Sequence, residues 1–215
     1  MRKLYNYFRS SASFRVRIAL GLKGLPYEYV AVHLTKEGGQ QFAVAFRALN
    51  PDSLIPVLDE DGHVLTQSLA IIEYLDEMHP APALLPRAPL ERAYVRACAL
   101  GIACEIHPLN NLRVLRYLVR ELGASEEAKN AWYRHWVEDG LASLEARVVA
   151  EGLAGRHVLG DRVTLADVVL VPQIFNARRF DCRLDHVPTL MGIFDRCMEL
   201  APFVDAQPSR QPDAE

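Results

Sequence analysis

The chain has 215 residues, 50% of them hydrophobic and 24% charged, with a formal net charge of −3. That length suits one large domain or two small ones with a real core, and that charge gives no electrostatic case for nucleic acid or an anionic membrane. No charge-free apolar run approaches the ~20 residues of a spanning helix. Met1-Arg2-Lys3 leads straight into a strand pattern without an apolar leader, so the expected compartment is cytoplasmic.

Leu4-Tyr5-Asn6-Tyr7-Phe8 is short and aromatic, which predicts a strand. Ser10, Ser11 and Ser13 follow, and then Val16, Ala19, Leu20 and Leu22 at helical spacing, stopped by Gly24. Tyr27 to Val32 alternates like a second strand, and Gln40 to Leu49 predicts a short helix ending before Pro51. Leu54 to Asp59 predicts a strand that contains Pro56, which argues for a sheet edge or a special turn. Asp61-Gly62 predicts a hairpin, and Thr66-Gln67-Ser68 opens an amphipathic helix running to about Met78. This order predicts an α/β thioredoxin-like N-terminal domain over residues 1–80, a mixed sheet with helices on both faces.

Residues 81–89 form a proline-rich linker. Beyond it strand signals vanish, and residues 90–215 predict an all-α C-terminal domain with helices over 90–122, 125–151, 164–179 and 188–201. His107-Pro108 interrupts the first of these. On a continuous helix His107 and Asn111 would share a face, while Arg113 would point elsewhere. Thr164-Leu165-Ala166-Asp167 has the spacing of a capping box, so Thr164→Ala should cost about 0.5–2 kcal/mol of stability and no chemistry. The tail from Gln207 is polar and is expected to be loose or strapped across the surface. Cys98, Cys104, Cys182 and Cys197 form no C-x-x-C pair and no zinc spacing, so they are expected to be small buried hydrophobes, and no metal is expected.

The chemistry concentrates where the first strand meets the first helix. Serines there can cap the helix and leave a hydroxyl over a terminus that favours an anion. No cysteine lies in this stretch, so the hydroxyl suits stabilising a thiolate brought in from outside.

Arg9-Ser10-Ser11-Ala12-Ser13-Phe14-Arg15-Val16-Arg17-Ile18-Ala19-Leu20 closely resembles the signature of zeta-class glutathione transferases, the maleylacetoacetate and maleylpyruvate isomerase group. Gln67-Ser68-Leu69-Ala70-Ile71-Ile72-Glu73-Tyr74-Leu75 resembles the second glutathione motif of that family, and the likeness runs over nearly the whole chain. One position departs: the family has Cys where this chain has Ala12. The resemblance implies the glutathione transferase fold, with residues 1–80 binding glutathione and residues 90–215 binding substrate. It implies glutathione contacts at Ser10, Ser11, Ala12, Ser13, Phe14 and Arg15, at Gln41, at Ile55 before a cis Pro56, and at Gln67 and Ser68. From the helical half it implies His107, Asn111, Leu112 and Arg113. Ser10 or Ser11 would bond the sulfur, Ser10 matching the family's catalytic serine, and Arg9 and Arg179 would pair with substrate carboxylates.

The implied reaction is glutathione-dependent cis–trans isomerisation of maleylacetoacetate or maleylpyruvate to the fumaryl product, in aromatic compound degradation by a homodimer. Two rivals keep the same fold: a glutathione transferase acting on small α-haloacids, and a glutathione-binding protein without catalysis. Ala12 tilts against the first, and the retained serines and Gln67-Ser68 pair against the second.

Overall fold

A computed structural model describes all 215 residues, which divide into two compact units, Met1–Ala83 with Glu199–Glu215, and Leu84–Met198. No helix is long and apolar enough to cross a membrane.

The first unit holds a four-stranded sheet of β1 (Lys3–Asn6), β2 (Glu28–Ala31), β3 (Val57–Glu60) and β4 (His63–Thr66), in the order β2-β1-β3-β4. β2 runs parallel to β1, with Leu4 opposite Tyr29, whereas β3 and β4 are antiparallel to their neighbours. This is the mixed sheet expected of a thioredoxin-like layout. α1 (Ser11–Leu22) and α3 (Ser68–Met78) pack together, and short α2 (Val44–Leu49) joins β2 to β3. α1 is buried almost all round, with Phe14, Val16, Ile18 and Leu20 next to no solvent, so it belongs to the core rather than to an amphipathic surface. Lys23, just past α1, donates to Asp76 Oδ1 at 2.8 Å and to the His79 carbonyl at 2.7 Å, a cation at the C-terminal end of α3.

Pro56 lies just before β3, and the Ile55–Pro56 bond is cis as expected. β3 sits between β1 and β4, so the edge reading of that proline is wrong. The turn reading is right, because the strand starts one residue later and loses no ladder bond to Pro56. The helix expected over 40–49 is split, with a 3-10 turn at Gln40–Phe42 and α2 separated by Ala43 in extended backbone.

The second unit contains α4 (Pro89–Leu100), α5 (Leu112–Arg120), α6 (Glu126–Glu151), α7 (Leu165–Arg179) and α8 (Pro188–Cys197). α7 is its centre: Leu165 to Ile174 are all buried, and the helix packs against α4 and α8. The rod expected over 90–122 is broken. Gly101–Ile106 is a π turn and His107–Asn110 a 3-10 turn, because Pro108 has no N–H to give and its ring excludes the carbonyl four residues back. Gly140 on α6 makes room for that irregular backbone, since a Cβ there would stand 2.4 Å from Ile106 Cγ1.

The division at the C-terminal end differs from the expected 90–215 domain. Glu199–Glu215, with α9 (Ala201–Asp205), belongs to the first unit, where α9 packs on α1 and Gly21 closely faces Pro202. The polar tail is strapped down: Asp213 accepts the Phe8 N–H at 3.2 Å and the Tyr29 hydroxyl, and Glu215 pairs with Lys36. Polar composition disguised it because its polar anchors are carboxylates that meet a backbone N–H, a hydroxyl and a lysine. Cys104 is exposed, against expectation, because it lies on the outer side of the π turn; the other three cysteines are buried.

Candidate functional site

Ser10 is the N-cap of α1. Its backbone is extended, and its Oγ accepts the Ser13 N–H at 3.2 Å. A hydroxyl that accepts one bond still has its own proton to donate. Ser10 is half-buried while Ser11 is only 4% exposed, so Ser10 is the more accessible of the two. Ser13 Oγ is fully buried and has no hydrogen-bond partner. Ala12 is half-buried and offers no polar atom, and Phe14 is core. Arg9 is exposed, its guanidinium 4.8 Å over the Phe8 ring.

The second motif meets the first through Arg15. This arginine is 2% exposed, and its Nη1 donates to Ser68 Oγ at 3.3 Å. Ser68 is the first residue of α3, so a guanidinium lies at the positive end of that helix. Both features favour an anion there. Gln67, the cap residue, has φ 67° and ψ 114°. A non-glycine residue rarely sits at that φ, and it costs free energy that neighbouring structure must offset. Gln41 is buried with its Oε1 unpartnered and its amide against Gly39, whose φ is 113° and whose Cβ would fall 2.7 Å from Gln41 Nε2. Ile55 is half-buried and packs beside Val32, Phe46 and Val57. Ser10 and Ser68 thus stand at two helix starts, and Gln41 Oε1 is a buried polar atom that the protein itself does not saturate.

The helical unit holds the other candidates. His107 lies in the 3-10 turn, and Asn111 is not on its face: Asn111 is extended and caps α5, accepting the Arg113 N–H at 3.1 Å. The shared face expected from i, i+4 spacing does not exist, because Pro108 breaks the helix between them. Leu112 opens α5, and Arg113 is exposed on its first turn. Trp132 on α6 donates to the Leu109 carbonyl at 2.8 Å and fixes the turn. Arg179 is exposed at the end of α7, with its guanidinium 4.7 Å over Phe180.

Sequence reasoning missed Asn110, whose amide oxygen and nitrogen are both buried without a hydrogen bond. It also missed Arg17 and Asp213. An asparagine two residues after a proline carries no signal beyond a turn. Arg17 carried no signal either, since composition places a helical arginine in solvent.

Comparison with known proteins decides the family. The profile "Glutathione S-transferase, N-terminal domain" matches residues 4–83. The "Probable maleylacetoacetate isomerase" of Vibrio cholerae is 53% identical over 211 residues, which cover 98% of this chain and 97% of that protein. A solved structure described as the holo form of maleyl pyruvate isomerase, a bacterial glutathione transferase in zeta class, superposes with TM-score 0.96 at 49% identity, covering 99% of this chain and 100% of that one. The chain belongs to the zeta-class glutathione transferases. A further solved structure, maleylacetoacetate isomerase from Anaeromyxobacter dehalogenans, has glutathione bound in its active site, with TM-score 0.88, 47% identity, and coverage of 100% of this chain and 98% of that one. Family membership brings a ligand class with it: glutathione, a thiol-bearing tripeptide with two carboxylates.

Proposed function

We propose that this zeta-class chain is a glutathione-dependent cis–trans isomerase of maleylacetoacetate or maleylpyruvate, with the Ser10 hydroxyl donating to the glutathione sulfur. The observation that carries the reading is Ser10 itself, a half-exposed cap whose oxygen is held by the Ser13 N–H while its proton remains free to donate.

Bound glutathione supplies a thiolate that adds to the cis double bond, leaves after rotation and emerges unchanged. The protein must hold that sulfur as an anion. A free thiol has a pKa of about 8.5, and lowering it by two units requires about 2.7 kcal/mol of preference for the charged form. A hydrogen bond to a charged group contributes about 1.5–3 kcal/mol and a helix start about 0.3–1 kcal/mol, so Ser10 and the first turn of α1 suffice together. Ser68, with Arg15 beneath it, takes one tripeptide carboxylate, and Gln41 takes the other end. The backbone of Ile55, extended before Pro56, pairs with the cysteinyl unit. Arg9 and Arg179 hold the substrate's carboxylates, and His107, Asn111 and Arg113 serve as further ligands on the strength of the family likeness. No paired carboxylates are required, since no proton has to be moved by a tuned base.

The same reading includes a homodimer in the cytoplasm. Initial rates with both cis acids, with and without glutathione, test the function. Isomerisation should require glutathione and be lost when Ser10 and Ser11 are both alanine; turnover that survives either change overturns it.

A further inference from the structure

Arg17 is the largest fully buried side chain in the molecule, 2% exposed, and every hydrogen bond it makes goes to an uncharged oxygen. Its Nη1 donates to Asn6 Oδ1 at 2.9 Å and to the Tyr7 carbonyl at 3.3 Å, and its Nη2 to the Phe8 carbonyl at 3.0 Å. Its Nε donates to the Ala206 carbonyl at 3.1 Å. Three of these oxygens lie on the short run from β1 into Ser10; the fourth lies in segment 199–215. The Tyr7 carbonyl is also the acceptor for the Ser10 N–H, at 3.0 Å. One peptide oxygen thus joins Arg17 to the residue that caps α1.

Asp213 closes the arrangement from the other side. One carboxylate oxygen accepts the Phe8 N–H at 3.2 Å, and the other accepts the Tyr29 hydroxyl on β2. Phe8 is therefore held at its carbonyl by Arg17 and at its N–H by Asp213, two residues before Ser10. Beside it the His33 ring packs edge-on against Tyr7, 4.8 Å between centroids, and His33 Nε2 lies 3.5 Å from the Glu215 carboxylate. Burial lowers the Arg17 pKa to about 10, opposed by Tyr29, Tyr27 and Asp213, and leaves the guanidinium charged at neutral pH. Asp213 is the carboxylate whose field reaches this buried cation. A buried arginine spending its donors on main-chain carbonyls is a costly way to hold a fold. It is an effective way to fix a loop, because its planar fork sets several oxygens at once.

We propose that Arg17 and Asp213 are positioning residues for Ser10, a clamp closed by segment 206–215 that sets where the Ser10 hydroxyl stands against the sulfur. The inference rests on the reading of Ser10 as the sulfur's partner. Misplacing a reacting group by an ångström can cost up to about 100-fold in rate, and a clamp two residues away controls placement on that scale.

The test compares full-length wild type with Asp213→Asn, Arg17→Lys and Ser10→Ala. The readouts are the pKa of the bound glutathione thiol, from ultraviolet absorbance of the thiolate against pH, the pH profile of kcat/KM, and thermal unfolding. Arg210→Gln, on the same segment but paired at the surface with Asp205, is the control with unchanged activity. In Asp213→Asn the bound thiol pKa should rise by about 0.5–1 unit, which removes about 3- to 10-fold of thiolate at a pH below both values. The KM for glutathione should change less than kcat, and activity should return as the pH passes the raised pKa. Arg17→Lys keeps the charge, loses the fork and should show the same shift, larger. If Ser10→Ala raises the thiol pKa while Asp213→Asn alters only the unfolding temperature, the clamp is purely structural and the proposal is overturned. If Ser10→Ala leaves the pKa unmoved, the Ser10 reading fails first. Should Arg17→Lys fail to fold, Asp213→Asn decides alone.

Discussion

Two helix starts in this molecule use the same kind of residue to opposite ends. At α7, Thr164 and Asp167 close on each other. Asp167 Oδ2 accepts the Thr164 N–H at 2.7 Å and its hydroxyl at 2.8 Å, and Oδ1 accepts the Val158 N–H at 2.9 Å. At α1, Ser10 accepts one N–H and stops there; Ser13 Oγ is buried with nothing to bond, and across from them Gln67 holds a strained φ at the start of α3. A hydroxyl at a helix N-terminus is structural where its surroundings are saturated, and available for a ligand where they are not. Cap chemistry alone does not distinguish the two; the count of satisfied partners does.

The sharpest way to break this contrast is to empty the closed end. Asp167→Ala leaves two buried N–H groups and a hydroxyl without an acceptor, and should cost about 3–5 kcal/mol in denaturant unfolding. Burial pushes the Asp167 carboxyl pKa upward while the same donors and His157 pull it back, so the site tolerates a carboxylate only because those donors are there. Activity per folded molecule should not change. Ser10→Ala should do the reverse. It should lower kcat/KM by about 10²–10³-fold, as loss of one donor to a developing anion does, while unfolding shifts by only the ~0.5–2 kcal/mol of a cap. If Ser10→Ala costs stability and spares rate, the two helix ends are alike and the contrast is void.

Smaller changes refine it. Thr164→Ala should cost about 0.5–2 kcal/mol and leave glutathione kinetics untouched. Gln67→Gly is the more telling variant. Relief of the positive φ contributes about 1–3 kcal/mol, and the extra freedom of glycine in the unfolded chain takes back about 0.4–1 kcal/mol. The net should be stabilisation by about 1 kcal/mol, with a raised KM for glutathione. A variant that gains stability while losing affinity is the signature of strain kept for a ligand.

Much of this was legible in the chain. The strand–serine–helix passage, the helix start at Ser68 and the capping box at Thr164 are local patterns decided by residues close in sequence, whereas the cis bond at Pro56 and the glutathione role of Gln67-Ser68 were expected only from the family resemblance. What escaped depends on distant partners. Nothing near Asp213 announces that it meets Phe8 and Tyr29, over 180 residues earlier. The Gly101–Ile106 π turn needs Gly140 on another helix to accommodate Ile106, a requirement visible only in three dimensions. Arg17 was hidden for a different reason: on composition a helical arginine belongs in solvent, and only the carbonyls around it explain why this one does not.

The resident cysteines give the smallest effect and a clean comparison for the guest thiol. On the proposed reading, the glutathione thiol at the open end of α1 must have its pKa lowered to be useful. The resident thiols of the helical unit are treated the opposite way: burial pushes Cys98 and Cys182 up to about 11, and Cys197 upward as well. At neutral pH each is then held almost wholly protonated, about one thiolate in 10⁴ for a pKa near 11. Cys104 stands exposed on the π turn. A thiol-reactive probe added to native protein should therefore modify one cysteine quickly and the other three only on unfolding, with Cys104→Ser removing the fast phase. The bound glutathione thiol should ionise well below any of the three buried residents. If instead a buried cysteine reacts as fast as Cys104, burial is not what sets thiol chemistry in this molecule, and the thiolate at α1 would need an explanation other than the environment of its helix start.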